Sequence, residues 1–456
     1  MEPSQVSDLR DFLALLEARN DLRRVGVEVD SHLEVAAITD RVCKGAAGGR
    51  ALYFERVRGY HLPVLTNLFG SLRRTCWAVG LAKPELLRRR LADELARFTG
   101  SGEQRLRRLL SEAAWQPSSV LEAPCQEVVQ EVPNLDGLPA LHCWPGDGGR
   151  FLTQPLVFSR DPDGGGNCGM YRVQLYGPRE ATVRWRPGSG GFRHQAAWSR
   201  QGKPMPVAIA LGGDPAVVFA ATTALPDDTD ELALAGLLRH RPANVVSCLT
   251  VPLQVPAEAE IVIEGLVDPG VCRPEGPFGN HRGCYDSAGP APLLRVTALT
   301  HRRNPLFPAT VAGPPPMESG YLAKLGESLL LALLQLDFPQ ITAINMPAET
   351  IFHGVALLAV KRTPGFTVAD LARSLWRLKP FCQSRLLVFF DDQTDVNNAR
   401  ACFWRAVNRV DPQRDLLRDG ERLAIDATRL AGPAAGAGRS TQSLLRRRWK
   451  EYGLED

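Results

Sequence analysis

Residues 155–186 read PLVFSRDPDGGGNCGMYRVQLYGPREATVRWR. Three runs rich in β-branched, aromatic and apolar residues, PLVFSR (155–160), MYRVQLYG (170–177) and ATVRWR (181–186), are separated by clusters of Asp, Gly and Pro. Runs of this length between turn formers predict short antiparallel strands. The same texture continues outward through PVAIALG (206–212), AEIVIEG (259–265) and LRVTALTHR (294–302). Residues 115–310 therefore read as one antiparallel sheet or barrel, with one helical insert over 230–238.

On either side the pattern changes. Residues 1–114 alternate: a helix from Leu9 with Ser7 as N-cap, a strand VGVEVD (25–30), a helix over 32–44, a strand ALYFERV (51–57) and a helix over 84–98. GPPPMES (313–319) is a rigid break. Beyond it, in 311–456, helices over 323–336, 367–378 and 397–410 alternate with apolar strands ITAINMP (341–347), VALLAVKR (355–362) and RLLVFFDD (385–392). Such alternation predicts a parallel sheet. No GxGxxG follows its first strand, so a dinucleotide site is not supported. QSLLRRRWKEYGLED (442–456) reads as a terminal amphipathic helix, and AGPAAGAG (431–438) as a short low-complexity stretch.

The chain has 456 residues, 44% hydrophobic and 23% charged, which fits two to four globular domains. Fifty-four basic and 50 acidic residues leave a net charge of +4, too balanced to suggest a nucleic-acid partner. Only 7 of the basic residues are lysine, a bias that genome composition explains more simply than ligand demand. Ten scattered cysteines form no CxxC pair, which fits reduced thiols in a cytoplasmic protein. No signal peptide is expected at MEPSQVSDLRDF, and the most apolar window, 207–226, is broken by Gly212-Gly213-Asp214-Pro215, so no membrane span is expected.

Four blocks could carry chemistry: NCGMYR (167–172), VRWRPGSGG (183–191), GGDPA (212–216) with the later Glu231, and PEGPFGNHRG (274–283). Singly, each has an ordinary structural explanation as a glycine turn, a surface arginine or a first-turn glutamate. Together and in order, with DLRDFLALLE, PNLDGLPALHCWPGDGG, LAGLLR, VPAEAEIVIEG, GPPP and DATR, they resemble the UbiD family of decarboxylases over nearly the whole chain. The resemblance implies a three-part α/β and β architecture: an N-terminal α/β unit (1–114), a central split β-barrel that binds flavin (115–310) and a C-terminal α/β domain (311–456). It implies prenylated FMN as cofactor, held through its phosphate by a divalent metal, commonly manganese, with a potassium ion as a further companion. It also implies an aromatic or α,β-unsaturated acid as substrate, a flavin prenyltransferase supplying the cofactor, and a homo-oligomer, dimer or hexamer. In that family the modified flavin is the electron sink, while the protein positions substrate and handles protons.

By the resemblance, Asn167 and Glu231 match the metal-binding asparagine and glutamate, oxygen ligands suited to a hard cation. Met170, Tyr171 and Arg172 match one flavin-lining segment, and Arg184, Trp185, Arg186, Ser189 and Gly190 fall in the second. Arg172 and Glu275 match the catalytic arginine–carboxylate network, the guanidinium being able to hold a carboxylate by two parallel hydrogen bonds. Two positions depart. The family's third metal ligand is a histidine, and its position falls on Gly188, with His194 six residues on. The family's proton-donor acid falls on Asn280, whose amide supplies no proton at neutral pH. His281 follows directly, but adjacent residues on an extended segment point opposite ways. The alternatives are thus a prenyl-FMN-dependent decarboxylase and a degenerate, accessory member that binds flavin weakly. Cys168, Gln174, Leu175, Phe278 and Met317 are candidates for the pocket wall.

Overall fold

The structure is a computed structural model that describes residues 2–227, 229–429 and 439–453, so the stretch 431–438 lies outside the described residues. Nine strands form the central sheet, all antiparallel. Eight lie in the order Phe151–Leu152, Val173–Leu175, Glu180–Val183, Gly289–His301, Ile261–Glu275, Met205–Leu211, Leu156–Arg160, Gly166–Met170; the ninth, Val128–Val129, pairs with Gly289–His301. Among the described residues no pairing joins the two outermost strands, so the sheet is not a closed barrel.

The strand Met205–Leu211 shows why the sheet sits in the middle of the molecule. All seven of its residues are buried. Successive side chains on a strand point to opposite faces. Ala208 and Ala210 join one core with Leu156, Phe158 and helix residues such as Phe219 and Leu234. Val207, Ile209 and Leu211 join a second core with Val173, Val183, Trp185 and Leu294. A strand apolar on both faces is the signature of a covered sheet.

Three helices, not one, interrupt the central strands: Gly190–Arg200, Pro215–Thr222 and Glu231–Arg239. The first begins in the glycine stretch that reads as a loop in sequence. Ser189 caps it by accepting from Phe192 N–H at 3.3 Å, and Gly190 and Gly191 are buried against neighbouring side chains. MYRVQLYG is also split, Met170 ending one strand and Val173 beginning the next, with Tyr171 and Arg172 at the bend.

The N-terminal unit carries the expected alternation. Its sheet runs Leu22–Val29, Ala51–Val57, Val64–Thr66, and is completed by Phe307–Pro308 from far along the chain. The C-terminal sheet is mixed rather than parallel: Val355–Val360, Leu386–Asp391 and Arg422–Ala427 pair in parallel, but the edge strands Ile341–Asn345 and Leu416–Asp419 run antiparallel. The helix Glu318–Asp337 packs against both the N-terminal helices and this sheet. The terminal helix spans Arg439–Arg448 and tightens into a 3₁₀ turn, Trp449–Tyr452. Among the described residues no helix is long and apolar enough to cross a membrane.

Candidate active site

The long strand Ile261–Glu275 delivers Glu275, fully buried, to the end of the central sheet. Across the sheet Val173 pairs with Val183, so the residues beside them, Arg172 and Arg184, emerge as neighbours. Both guanidinium groups reach Glu275. Arg172 donates from Nε to Oε1 at 2.7 Å and from Nη2 to Oε2 at 3.1 Å, a side-on bidentate pair. Arg184 Nη1 donates to Oε2 at 2.9 Å. Arg172 Nη1 turns the other way and donates to Asp286 Oδ2 at 2.7 Å. The Arg172 guanidinium lies 4.6 Å over the Phe278 ring, which packs edge-on against Phe151. Burial disfavours the Arg172 cation, but the bonds to Glu275 and Asp286 outweigh it and raise its pKa above the arginine norm.

The turn that follows Glu275 is held from below. Asp147 Oδ1 accepts from Gly279 N–H at 2.8 Å while Oδ2 accepts from the backbone N–H groups of Cys143 and Trp144. Trp144 lies so close to Gly279 that a β-carbon there would stand 2.2 Å from its ring. Phe278–Gly279 then pairs with Tyr285–Asp286 in a short hairpin. The hairpin brings Asp286 back beside Asn280, whose Nδ2 donates to Asp286 Oδ1 at 2.8 Å. Burial pushes the Asp286 carboxyl up, but the bonds from Arg172 and Asn280 more than offset this and hold it below the usual aspartate range.

These groups face a cavity of about 970 Å³. Met170, Tyr171, Arg172 and Arg184 line one wall, continued by Trp185, Arg186 and Ser189. Asn280, His281 and Asp286 line it too, Asp286 directly beside Arg172. Asn280 and His281 thus both border the cavity, which the extended-chain argument did not expect. Burial, then Arg186 and His353, hold the His281 imidazole down at about 4, so it is neutral at pH 7. Of the five wall candidates read from sequence, Phe278 alone lines the cavity. Cys168, Leu175 and Met317 are buried in the cores, and Gln174 bonds the backbone of Gly148 and Gly276.

Asn167, Gly190 and Glu231 stand together behind the first wall. A β-carbon on Gly190 would lie 2.0 Å from Asn167 Oδ1, so only glycine permits this contact. Glu231, in the first turn of its helix, accepts from Cys168 N–H at 2.9 Å. Asn167 Nδ2 is buried without a hydrogen-bond partner, and turning the amide over would set its oxygen there as a ligand for a cation. Burial pushes the Glu231 carboxyl up to about 7, which a cation beside it would offset. Among the described residues no group of three His, Cys, Asp or Glu side chains gathers to hold a metal. Gly188 is exposed at φ +83°, with open space where a β-carbon would be. His194 lies one turn beyond Gly190, buried, with Nδ1 3.0 Å from the Ser159 hydroxyl; Ser159 is the strand partner of Asn167. Trp185 Nε1 is a second buried orphan, packed where a Gly191 β-carbon would be. Trp185 Nε1, a donor without a partner beside the start of the Gly190–Arg200 helix, whose own N–H groups favour anions, fits a phosphate-bearing group.

Sequence reasoning missed Asp286, Asp147 and His353. The block WPGDGG was visible as a motif, but nothing local marks Asp147 as the brace of a turn 132 residues away.

Three family models match the chain, each described as a part of 3-octaprenyl-4-hydroxybenzoate carboxy-lyase: the N-terminal domain over residues 13–94, the Rift-related domain over 118–315 and the C-terminal domain over 320–438. An uncharacterized protein of Aquifex aeolicus is 37% identical over 456 residues, covering 98% of this chain and 93% of that protein. One from Archaeoglobus fulgidus is 38% identical over 415 residues, covering 90% and 85%. Among solved structures, vanillic acid decarboxylase of Sedimentibacter hydroxybenzoicus in its closed form matches with a TM-score of 0.87 at 25% identity, covering 98% of this chain and 99% of that one. An evolved dimeric form of the UbiD-class enzyme HmfF from Pelotomaculum thermopropionicum, in complex with prFMN, matches with a TM-score of 0.82 at 28% identity, covering 96% and 98%.

Proposed function

The chain belongs to the UbiD family of carboxy-lyases, and on that premise we propose that it catalyses the non-oxidative decarboxylation, or the reverse, of an aromatic or α,β-unsaturated acid with prenylated FMN. The observation that carries this is the Arg172–Glu275–Arg184 cluster on the cavity. A guanidinium has five N–H donors. Three of those on Arg172 are engaged by Glu275 and Asp286, which leaves two for a substrate carboxylate. Phe278 packs beneath the guanidinium and borders the same cavity.

Relatives of known structure bind prFMN or FMN, which supports a flavin here. Met170, Tyr171, Arg184, Trp185 and Arg186 would line it, with Ser189 and Gly190 at the helix start near its phosphate. Asn167 and Glu231 would hold a divalent metal such as manganese, with waters completing the shell. When bound, the prenylated flavin supplies the electron sink for loss of carbon dioxide. The chain's own part is to seat the carboxylate on Arg172, fix that arginine with buried Glu275, and exclude water with the Phe278–Phe151 pair. The division at 1–114, 115–310 and 311–456 and a homo-oligomeric state belong to the same proposal. The accessory alternative rests on Gly188, which has no side chain to ligate a metal, and on Asn280, whose amide supplies no proton.

Co-expression with a flavin prenyltransferase tests the proposal. The purified protein should carry prenylated FMN and a divalent metal and release carbon dioxide from at least one member of an aromatic-acid panel. Full flavin occupancy without release, and without solvent-deuterium exchange into any product, sinks the enzymatic reading and favours the accessory one.

A further inference from the structure

Position 280, where the family resemblance implies a carboxyl, is an asparagine, and a carboxyl stands nearby. Asp286 sits six residues along the chain, yet the hairpin pairs it with Phe278 and sets its Oδ1 2.8 Å from Asn280 Nδ2. It borders the same cavity with its side chain 31% exposed, whereas Glu275 is fully buried. We propose that Asp286 supplies the proton that replaces carbon dioxide, with Asn280 as the positioning residue that aims it. This rests on the decarboxylase function proposed above.

The step balances without a redox partner. The bond from substrate carbon to carboxylate breaks and leaves its electron pair on carbon. The Asp286 O–H bond breaks as the new C–H bond forms, and the resulting carboxylate is reprotonated from solvent. Asp286 must therefore be protonated when substrate is bound. In the free protein Arg172 at 2.7 Å and Arg282 at 3.5 Å favour its ionised form. The neutral His281 stands beside it, and Glu275 lies on the far side of Arg172. A substrate carboxylate on the two remaining Arg172 donors reverses this balance: it draws on the same cation, sets a like charge nearby and displaces water. Asp286 should then take up a proton as the acid binds. The carboxyl is 31% exposed in the free protein, so it can exchange protons with solvent between turnovers.

Two experiments test this. In the flavin-loaded enzyme, Asp286→Asn keeps an acceptor for Arg172 and should leave flavin occupancy, read by absorbance, unchanged. Its steady turnover should fall about 100-fold or more, after a first burst of about one carbon dioxide per site. The double variant Asn280→Asp/Asp286→Asn returns the carboxyl to position 280 and should recover at least a tenth of wild-type turnover. Turnover of Asp286→Asn within about threefold of wild type, or a double variant no better than Asp286→Asn, overturns the proposal. The second experiment needs no turnover. Benzoate is titrated calorimetrically into flavin-free protein in two buffers of different ionisation enthalpy. Proton uptake on binding, lost in Asp286→Asn, supports the assignment. Equal uptake in both proteins, or no binding at 10 mM, overturns it, the latter because Arg172 then takes no carboxylate. Wild-type enzyme that binds flavin but releases no carbon dioxide sinks the proposed function instead, and the benzoate measurement still reads Asp286 on its own.

Discussion

Glu275→Gln is the sharpest perturbation of the site, because it changes charge and hydrogen bonding at almost constant volume. Glu275 accepts at 2.7 Å from Arg172 Nε, at 3.1 Å from Arg172 Nη2 and at 2.9 Å from Arg184 Nη1. Glutamine has one acceptor oxygen and an NH₂ group. With the oxygen in the Oε2 place, it keeps Nη2 and Arg184 but faces Arg172 Nε with a donor. With the oxygen in the Oε1 place, it loses two bonds instead. The better arrangement forfeits one charge-assisted bond, about 1.5–3 kcal/mol, and leaves Arg172 compensated by Asp286 alone. Removing one member of a buried ion pair typically costs about 3–5 kcal/mol. Because one carboxylate partner survives, the lower end applies, about 3 kcal/mol, or roughly 6–12 °C in melting temperature for a unit of this size. Arg184 is 37% exposed and can turn to water, so Arg184→Ala should cost at most ~1 kcal/mol. Urea unfolding of wild type, Glu275→Gln and Arg184→Ala, with carbon dioxide release measured in parallel, checks both figures. Glu275→Gln should also abolish turnover, since Arg172 loses the partner that fixes its plane. A Glu275→Gln unfolding free energy within about 1 kcal/mol of wild type, or an equal loss in Arg184→Ala, would refute the view that Glu275 is the anchor of the cluster.

Gly190→Ala sets a β-carbon 2.0 Å from Asn167 Oδ1, against ordinary contact beyond 3.4 Å. The asparagine must move, at a cost of about 1–3 kcal/mol, and manganese affinity should fall; unchanged metal binding would mean that Asn167 is no ligand. At Gly188 the opposite holds. A histidine there meets open space and costs only the strain of φ +83°, about 1–2 kcal/mol, so Gly188→His should raise metal content on purification, and an unchanged content would count against a ligand position there. His281 is held at about 4 by burial first, then Arg186 and His353, while Asp286 pulls upward. The native state therefore binds fewer protons than the unfolded chain between about pH 6.5 and 4, and stability drops as pH falls through that window, by up to ~1.4 kcal/mol per pH unit. His281→Leu should flatten the urea-midpoint profile there, and a slope unaltered by the substitution would remove His281 as its source.

The strands were legible because alternation and turn formers are local signals. ALYFERV is a strand over its whole quoted length, and PVAIALG begins one residue early. The helix Gly190–Arg200 was not legible, and the reason is specific. Glycine is a poor helix former, but Gly190 is held by contact with Asn167 and Gly191 by contact with Trp185, so packing overrides propensity. The antiparallel edge LLRD (416–419) was not legible for a different reason: it is four residues long with none of them buried, too short and too exposed for a pattern. Of the site, the sequence showed the residues carried by contiguous motifs, Arg172, Arg184 and Glu275. It did not show Asp147 or Asp286, because each acts through a hairpin or turn whose register no local pattern specifies.

The charges explain why Asp286 matters more than its position suggests. Arg172 and Arg184 carry two positive charges against the two negative charges of Glu275 and Asp286, so the cluster is neutral before any acid arrives. A substrate carboxylate would make it net negative inside a partly desolvated cavity. Either a further cation or a proton must compensate. Arg186 is exposed on the cavity wall and Arg282 is 62% exposed, so both are better solvated than the cluster and compensate weakly. A proton taken up on Asp286 restores neutrality where the charge appears. The same proton stands ready for the carbon that loses its carboxylate, so one uptake event would serve both binding and the step that completes the reaction.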